Sequence, residues 1–311
     1  MKQTVAAVVV THNRKELLVK CLRAILDQTY AVDRIFVIDN ASSDGTPQML
    51  ESLGFMKHPQ LEYIRLTENI GGAGGFHEGM KLAYDRGFDW IWLMDDDGFP
   101  YPTSLENLMN MTGKYQFLGP LAVADSHNLS FSLPWRKSIF PFPWRKSYIS
   151  RVSEAEAIAS DGCIVGHIFI FNGTLISRQM VATIGYPKKE FFIWGDEIEY
   201  RMRAVTAGYL PVTVCAARHH HPPNSPSRMR NIRLPMRLGW VAAPEDKFRL
   251  YLYVRNHSYI YRRYVSFDSV MFYVKYLSLA ATDYKRSWII MMALFDGLVG
   301  YWGRAKKFQR S

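Results

Sequence analysis

The sequence has little cysteine and no cysteine pairing motif. Its three cysteines, Cys21, Cys163 and Cys215, are odd in number, far apart and without a CxxC spacing. Neither a disulfide framework nor a zinc knuckle is expected, and a reducing compartment fits this composition.

Long apolar runs are also missing. The six residues from Val5 to Val10 are too few for the apolar core of a signal peptide, so we expect no export. The eight from Trp288 to Phe295 fall short of the ~20 of a membrane span.

The composition and charge of the 311 residues narrow the class of protein. An apolar share of 48% with 14% aromatic residues excludes a disordered tail or a coiled coil, and predicts one large globular domain or a domain with an appendage. The net charge is +10, but residues 218–311 hold 17 Lys or Arg against 5 Asp or Glu, so the C-terminal third carries the whole excess. That asymmetry predicts a polyanionic partner, either a membrane surface or nucleic acid.

Apolar periodicity predicts strands that alternate with helices. Residues 5–10 form an unbroken apolar strand, and apolar residues then recur at helical spacing to residue 26. Further strands are predicted at 34–39, 61–66 and 90–94. This order is typical of an α/β fold with a mostly parallel sheet flanked by helices, in which ligands bind beyond the carboxyl ends of the strands.

The most informative local feature is the run of Asp95, Asp96 and Asp97 directly after a predicted buried strand. Adjacent carboxylates repel one another where water is partly excluded, so a bound divalent cation would stabilise them. Asp95 and Asp97 point the same way in an extended chain and could share a metal with a diphosphate, while Asp96 faces another ligand. The alternative interpretation is an ordinary acidic surface loop.

Two further segments favour ligand contact less strongly. The glycine cluster at 71–75 permits close approach of the backbone to a ligand, but it lacks the GxGxxG order and the Walker lysine, and it also fits a tight turn. The sequence Pro-Trp-Arg-Lys-Ser occurs at 134–138 and again at 143–147. It indicates either a proline-rich surface loop or a mobile basic, aromatic flap over an anionic ligand or lipid headgroups.

Two polar runs in the second half could supply a base and a metal ligand. Asp196, Glu197 and Glu199 follow Trp194, whose bulk can raise the pKa of a carboxylate towards that of a general base. Acids also favour the first turn of a helix, which is the alternative explanation. His219–His221 ends an apolar stretch, where it could complete a metal site or be a polar strand end.

Taken together, these stretches resemble those of inverting family-2 glycosyltransferases of the GT-A fold, and within them the bacterial galactofuranosyltransferases. The resemblance covers roughly residues 4–225. It is carried by VVVTHNR at 8–14, VIDNASSDGT at 37–46, ENIGGAGGF at 68–76, WIWLMDDDGFP at 90–100, FFIWGDEIEYRMRA at 191–204 and the histidines at 219–221.

The resemblance implies a role for each matching residue. It implies a UDP-sugar donor site made of Thr11, Arg14, Asp39, Asn69, Gly72, Asp96 and Trp194. Mn²⁺ or Mg²⁺ is expected on Asp95 and Asp97, with His220 closing the metal site. The base aligns with Glu197, but relatives usually have aspartate there, so Asp196 and Glu197 both remain candidates.

The implied function is transfer of galactofuranose from UDP-galactofuranose to a lipid-linked polysaccharide such as an O-antigen. Residues 1–243 would form the catalytic domain, and residues 244–311 would form a basic, aromatic, helical region. An apolar helix face there, made of Trp288, Ile289, Met292 and Phe295, would lie on the anionic inner face of the bacterial plasma membrane. This makes a cytoplasmic, peripheral enzyme the expectation. The alternatives for the same helices are a subdomain packed on the core or the interface of a homo-oligomer.

Three other functions compete with this one. Within the family, a rhamnosyl or other hexosyl donor is the nearest alternative. A sugar nucleotidyltransferase also has parallel strands and metal-binding carboxylates, but its phosphate loop needs glycines that residues 9–16 lack. A membrane- or nucleic-acid-binding module would use the basic third of the chain. We expect no nucleic acid as a partner, because the acidic clusters would repel its phosphates in the absence of metal.

Overall fold

The computed structural model describes residues 3–135, 147–222, 229–235, 238–265 and 267–308. Most of the repeated Pro-Trp-Arg-Lys-Ser segment lies outside these residues. The elements are β1 (Val5–Thr11), α1 (Lys15–Leu26), β2 (Arg34–Asp39), α2 (Thr46–Ser52), β3 (Leu61–Arg65), α3 (Gly71–Asp85), β4 (Trp90–Asp95), β5 (Phe99–Pro100), α4 (Ser104–Met109), β6 (Phe117–Val123), β7 (Asn128–Trp135), β8 (Ser147–Arg151), α5 (Val152–Ile158), β9 (Cys163–Val165), β10 (Asn172–Ser177), α6 (Arg178–Ile184), α7 (Asp196–Thr206), β11 (Val212–His220), β12 (Met229–Arg233), β13 (Trp240–Pro244), α8 (Lys247–Arg263), α9 (Phe267–Thr282), α10 (Tyr284–Val299) and α11 (Ala305–Phe308).

The central sheet has the strand order β3-β2-β1-β4-β10-β6-β11-β5. Strands β1 to β4 are parallel, as are β6 and β11, whereas β10 runs antiparallel to both β4 and β6. Every residue of β1 is buried, because helices cover both faces of a central parallel strand. The predicted α/β class with a mostly parallel sheet is confirmed.

Glycines in α3 allow this helix to pack closely on the sheet. A Cβ atom at Gly75 would lie 2.5 Å from Val10 Cγ1, and one at Gly79 would lie 2.3 Å from Val8 Cγ1. The glycine cluster begins the helix, and Gly71 alone among residues 71–75 has a positive φ, of 76°. The tight-turn interpretation is therefore wrong, and close helix–sheet packing explains the glycines at 75 and 79.

The chain divides into two compact units. The first comprises residues 1–186 and 203–224 and contains the central sheet. The second comprises residues 187–202 and 225–311, and its apolar core is formed by α8, α9, α10 and the β12–β13 hairpin. The sequence-based domain boundary between residues 243 and 244 stays a prediction.

None of the helices in the described ranges combines the length and the apolar character required to cross a bilayer.

Candidate active site

Polar side chains meet at the carboxyl ends of β1, β2 and β4. The parallel register places Thr11 opposite Asp39 and Val10 opposite Asp95. The loops that follow these three strands therefore leave the sheet side by side, which brings Arg14 to the acidic triplet. This is the edge of the sheet at which α/β proteins bind their ligands.

Arg14 forms ion pairs with two of the three acids of the triplet. Its Nη1 donates to Asp96 Oδ1 at 3.1 Å and to Asp97 Oδ2 at 2.6 Å, and Thr11 Oγ1 donates to Asp96 Oδ2 at 2.6 Å. Burial raises the pKa of Asp96, and the bonds from Thr11 and Arg14 offset only part of that effect. The guanidinium thus offsets part of the negative charge that led us to predict a bound metal ion from the sequence. The alternative of an ordinary acidic surface loop is wrong for Asp96, which is 3% exposed.

The second carboxylate oxygen of Asp97, Oδ1, is not bonded to Arg14. This oxygen is buried, and nothing in the part of the chain that the structure describes donates a hydrogen bond to it. His221 Nε2 lies 3.5 Å from this oxygen. His221 Nδ1 lies 2.7 Å from the carbonyl oxygen of Pro222, which can only accept, so Nδ1 carries the proton. In neutral His221 the lone pair of Nε2 then faces Asp97 Oδ1, and two electron-rich atoms point at the same space.

The other two histidines of the run have different surroundings. The ring of His220 stacks on Phe99, with ring centroids 4.4 Å apart. His219 is fully buried, and burial lowers its pKa to about 3, so that its ring is neutral near pH 7. A Cβ atom at Gly98 would lie 2.4 Å from His219 Nε2, so the glycine after the acidic triplet makes room for this ring. The sequence prediction chose His220, whereas the geometry brings His221 to Asp97.

Asp39 lies at the bottom of the same edge and is fully buried. Its Oδ1 accepts a hydrogen bond from the backbone N–H of Ser42 at 2.9 Å, and its Oδ2 accepts one from the hydroxyl of Tyr63. Burial and this bond to Asp39 raise the pKa of Tyr63. No sequence pattern indicated Tyr63, because its position on β3 gives no sign of its partner on the neighbouring strand.

The start of α3 completes this part of the site. Asn69 Oδ1 accepts from the N–H of Gly71 at 2.8 Å, and Asn40 Nδ2 donates to the carbonyl of Gly71 at 3.1 Å. A Cβ atom built on Gly72 would meet no described atom within 4 Å. Gly72, in the first turn of α3, thus borders open space among the described residues, in contrast to Gly75.

Asp196 and Glu197 begin α7, in the second unit of the chain. Asp196 is 5% exposed, whereas Glu197 is half-buried and accepts a hydrogen bond from the N–H of Gly195 at 3.0 Å. The ring of Trp194 meets that of Tyr253 edge-on, at 5.9 Å between centroids. Since the acidic triplet and the histidines belong to the first unit, the predicted convergence of all three groups stays a prediction.

No three His, Cys, Asp or Glu side chains within the described ranges are grouped in a way that could already hold a metal ion. Asp95 and Asp97 therefore remain a prediction as metal ligands.

Comparison with known proteins identifies related chains. The family model described as "Glycosyl transferase family 2" matches residues 6–179. Galactofuranosyltransferase GlfT1 of Mycolicibacterium smegmatis is 32% identical over 268 residues, which are 83% of each chain. The GlfT1 protein of Mycobacterium tuberculosis is 33% identical over 264 residues, which are 84% of this chain and 83% of that one.

A solved structure shares the fold. The crystal structure of GalNAc-T7 with UDP, GalNAc and Mn²⁺ superposes with a TM-score of 0.56 at 13% identity, and the match covers 84% of this chain and 50% of that one. At this identity the likeness concerns the fold alone, and it confirms the GT-A type predicted from the sequence.

Proposed function

The chain belongs to glycosyl transferase family 2, and from this membership we propose that it transfers galactofuranose from UDP-galactofuranose with inversion at the anomeric carbon. The observation that carries the choice of sugar is the identity of 32–33% to proteins named galactofuranosyltransferases. That similarity covers 83–84% of this chain, a larger share than the family model, so it includes more than the features common to the whole family.

The donor nucleotide, in this proposal, binds over the carboxyl ends of β1 and β2. Asp39 and Asn69 shape the floor of the site, and Gly72 leaves space for the ligand above the first turn of α3. Arg14 is half-exposed, so its guanidinium can reach a diphosphate while it stays close to Asp96. Thr11 holds Asp96 in place through the bond of 2.6 Å. Trp194 belongs to the second unit, and its contact with the donor stays a prediction.

A divalent cation, Mn²⁺ or Mg²⁺, fits the donor atoms of Asp97 and His221. Asp97 Oδ1, which accepts no hydrogen bond from the described residues, would supply a carboxylate ligand, and the Nε2 lone pair of neutral His221 would supply an imidazole ligand. Asp95, the last residue of β4, is two residues before Asp97. We propose His221 in the role that the sequence gave to His220, because the ring of His220 stacks on Phe99. When bound, the cation would neutralise negative charge that develops on the leaving diphosphate.

Glu197 is proposed as the general base. An acceptor hydroxyl is a poor nucleophile near neutral pH, so a carboxylate has to take its proton during the attack. Glu197 is half-buried and its carboxylate is oriented by the N–H of Gly195, whereas Asp196 is almost inaccessible. A single displacement on the face opposite the leaving group inverts the anomeric carbon.

The acceptor is proposed to be a lipid-linked glycan at the inner face of the plasma membrane. Trp288, Met291 and Phe295 lie on one face of α10 at helical spacing and are 51%, 47% and 59% exposed. Ile289 is fully buried, so its predicted place on this face is wrong and Met291 takes it. Exposed basic residues near both ends of the helix, Lys285 among them, would attract anionic lipid.

Transfer assays test the proposal directly. The full chain is incubated with a lipid-linked acceptor extract and with UDP-galactofuranose, UDP-galactopyranose or a rhamnosyl donor in separate reactions, and incorporated sugar is measured. We expect incorporation from UDP-galactofuranose alone, loss of it with EDTA and recovery with Mn²⁺. Incorporation from the rhamnosyl donor alone would refute the choice of sugar, and activity that is indifferent to EDTA would refute the metal.

Variants of the two acids test the base. Glu197→Gln keeps the shape of the side chain and removes its ability to accept a proton, so transfer should fall by about 10²–10⁴-fold while UDP affinity is kept. Asp196→Asn is the matched variant at the neighbouring acid. A loss confined to Asp196→Asn would move the role of base to Asp196.

A further inference from the structure

One side chain of α8 donates hydrogen bonds to three backbone carbonyl groups of residues 191–195, the segment that leads into α7. The Nδ2 of Asn256 donates to the carbonyl oxygens of Phe191 at 2.9 Å, Ile193 at 3.0 Å and Trp194 at 2.8 Å. Asn256 is fully buried, and the residues involved all belong to the second unit of the chain. Two amide hydrogens are thus shared among three carbonyl groups, and the segment is held along its length by one group.

The neighbouring residue fixes the orientation of this amide. Arg255 donates to Asn256 Oδ1 from Nε at 3.0 Å and from Nη2 at 2.8 Å, and Nη2 also donates to the carbonyl of Glu190 at 2.7 Å. A guanidinium can only donate and a carbonyl can only accept, so Oδ1 must face Arg255 and Nδ2 must face the segment. Arg255 is fully buried as well, with its guanidinium carbon 4.8 Å from the centre of the Trp302 ring.

The segment held in this way has an unfavourable backbone conformation. Phe192 has φ 65° and Trp194 has φ 63°, both positive without being glycine, and Gly195 follows at φ 87°. Residues with side chains keep such angles only where the surrounding structure imposes them, and they are concentrated at functional sites. The N–H of Gly195, at the end of the segment, donates to Glu197 Oε2 at 3.0 Å.

We propose that Asn256, oriented by Arg255, is a positioning residue for the carboxylate of Glu197. The bonds from Asn256 impose the positive φ angles on the segment, the segment orients the N–H of Gly195, and that N–H orients the carboxylate. Asn256 contacts no substrate in this scheme and acts only through the segment. The inference rests on the proposed function, because it requires Glu197 to be the base.

Asn256→Asp is the sharpest test, because it keeps the shape and the contact with Arg255 but replaces the donating Nδ2 by an oxygen that faces three carbonyl oxygens. We expect kcat for transfer to fall on the order of 100-fold, as a displaced catalytic group would cause, while UDP affinity measured by calorimetry changes less than about twofold. Ser258→Ala is the matched control: it removes a buried hydrogen bond of 2.8 Å from the same helix to the carbonyl of Leu294, away from the segment. It should keep the wild-type kcat.

A double variant separates positioning from general damage to the fold. If Asn256 acts through Glu197, then adding Asn256→Asp to Glu197→Gln should lower the residual transfer less than about twofold, since the group to be positioned is already inactive. A full additional 100-fold loss, or a wild-type kcat in Asn256→Asp, would overturn the inference while leaving the base assignment intact. Wild-type kcat in Glu197→Gln would instead overturn the base itself, and the inference with it.

A second variant keeps the inference testable if Asn256→Asp does not fold. Arg255→Lys retains the charge but loses the fork that holds Asn256 Oδ1, so it should lower kcat about tenfold with UDP affinity unchanged. A folded Arg255→Lys protein with wild-type kcat would contradict the role given to Arg255.

Discussion

The close packing of α3 on the sheet predicts that a larger residue at Gly79 lowers the stability of the fold. In Gly79→Ala the new methyl carbon would lie 2.3 Å from Val8 Cγ1 and 3.0 Å from Ile38 Cγ1. Val8 is fully buried in the central strand and cannot move aside, so the helix or the sheet must shift, at a cost of typically 1–3 kcal/mol. Alanine returns about 0.5–1 kcal/mol through its higher helix propensity. The mid-range values, about 2 and about 0.75 kcal/mol, leave a net destabilisation of about 1 kcal/mol.

Differential scanning calorimetry measures this effect, with Gly72→Ala as the control. A methyl group at Gly72 would meet no described atom within 4 Å, so this second glycine of the same helix gains helix propensity without a clash. For a unit of this size we expect the melting temperature to fall by about 2–4 °C in Gly79→Ala and to stay level or rise slightly in Gly72→Ala. Equal melting temperatures for the two variants would refute the explanation of these glycines by helix–sheet packing.

Three further predictions concern the metal, the pH and the membrane. His221→Ala should weaken Mn²⁺ binding at least about tenfold in calorimetry, whereas His220→Ala should leave it unchanged; the reverse order would restore the sequence-based choice. Burial lowers the pKa of His257, so the folded state resists its protonation. The associated stability is complete above the unfolded pKa of about 6.5 and is lost as the pH falls below it. The melting temperature should therefore decline from pH 7 to pH 5, and less in His257→Gln; parallel curves would contradict this. Serine at both Trp288 and Phe295 should lower binding to anionic vesicles about tenfold, and unchanged co-sedimentation would count against the membrane face.

The strands were predictable because a strand that is buried on both faces has an unbroken run of apolar residues. The predicted strand at 34–39 matches β2 in full, and the fully buried β1 extends the predicted run by one residue to Thr11. The antiparallel strand β10 gave no comparable signal. Its direction depends on its pairing with β4 and β6, which are distant in the chain.

The sequence predicted which types of residue form the candidate site, but it did not predict which of them contact one another. A run of acids after a buried strand identified Asp96 and Asp97, since the end of a parallel strand is where ligands bind. Nothing in the sequence indicated that Arg14 would bridge these two carboxylates. The choice of His220 among the adjacent histidines stays a prediction. Local sequence offers no basis for it, for a similar reason. Successive side chains of a strand point to opposite faces, so which one reaches Asp97 depends on the register of β11 against β5.

By itself, the sequence determined the fold class, the glycosyltransferase family and the edge of the sheet where the polar residues gather, because apolar periodicity and residue order act locally along the chain. Tertiary structure alone decided which side chains contact one another within each unit. His221 faces Asp97, Tyr63 donates to the buried Asp39, and Asn256 holds the segment before Glu197 from a helix that begins about fifty residues later in the chain. Such contacts depend on strand register and helix packing between distant segments, and no local pattern of residues encodes them.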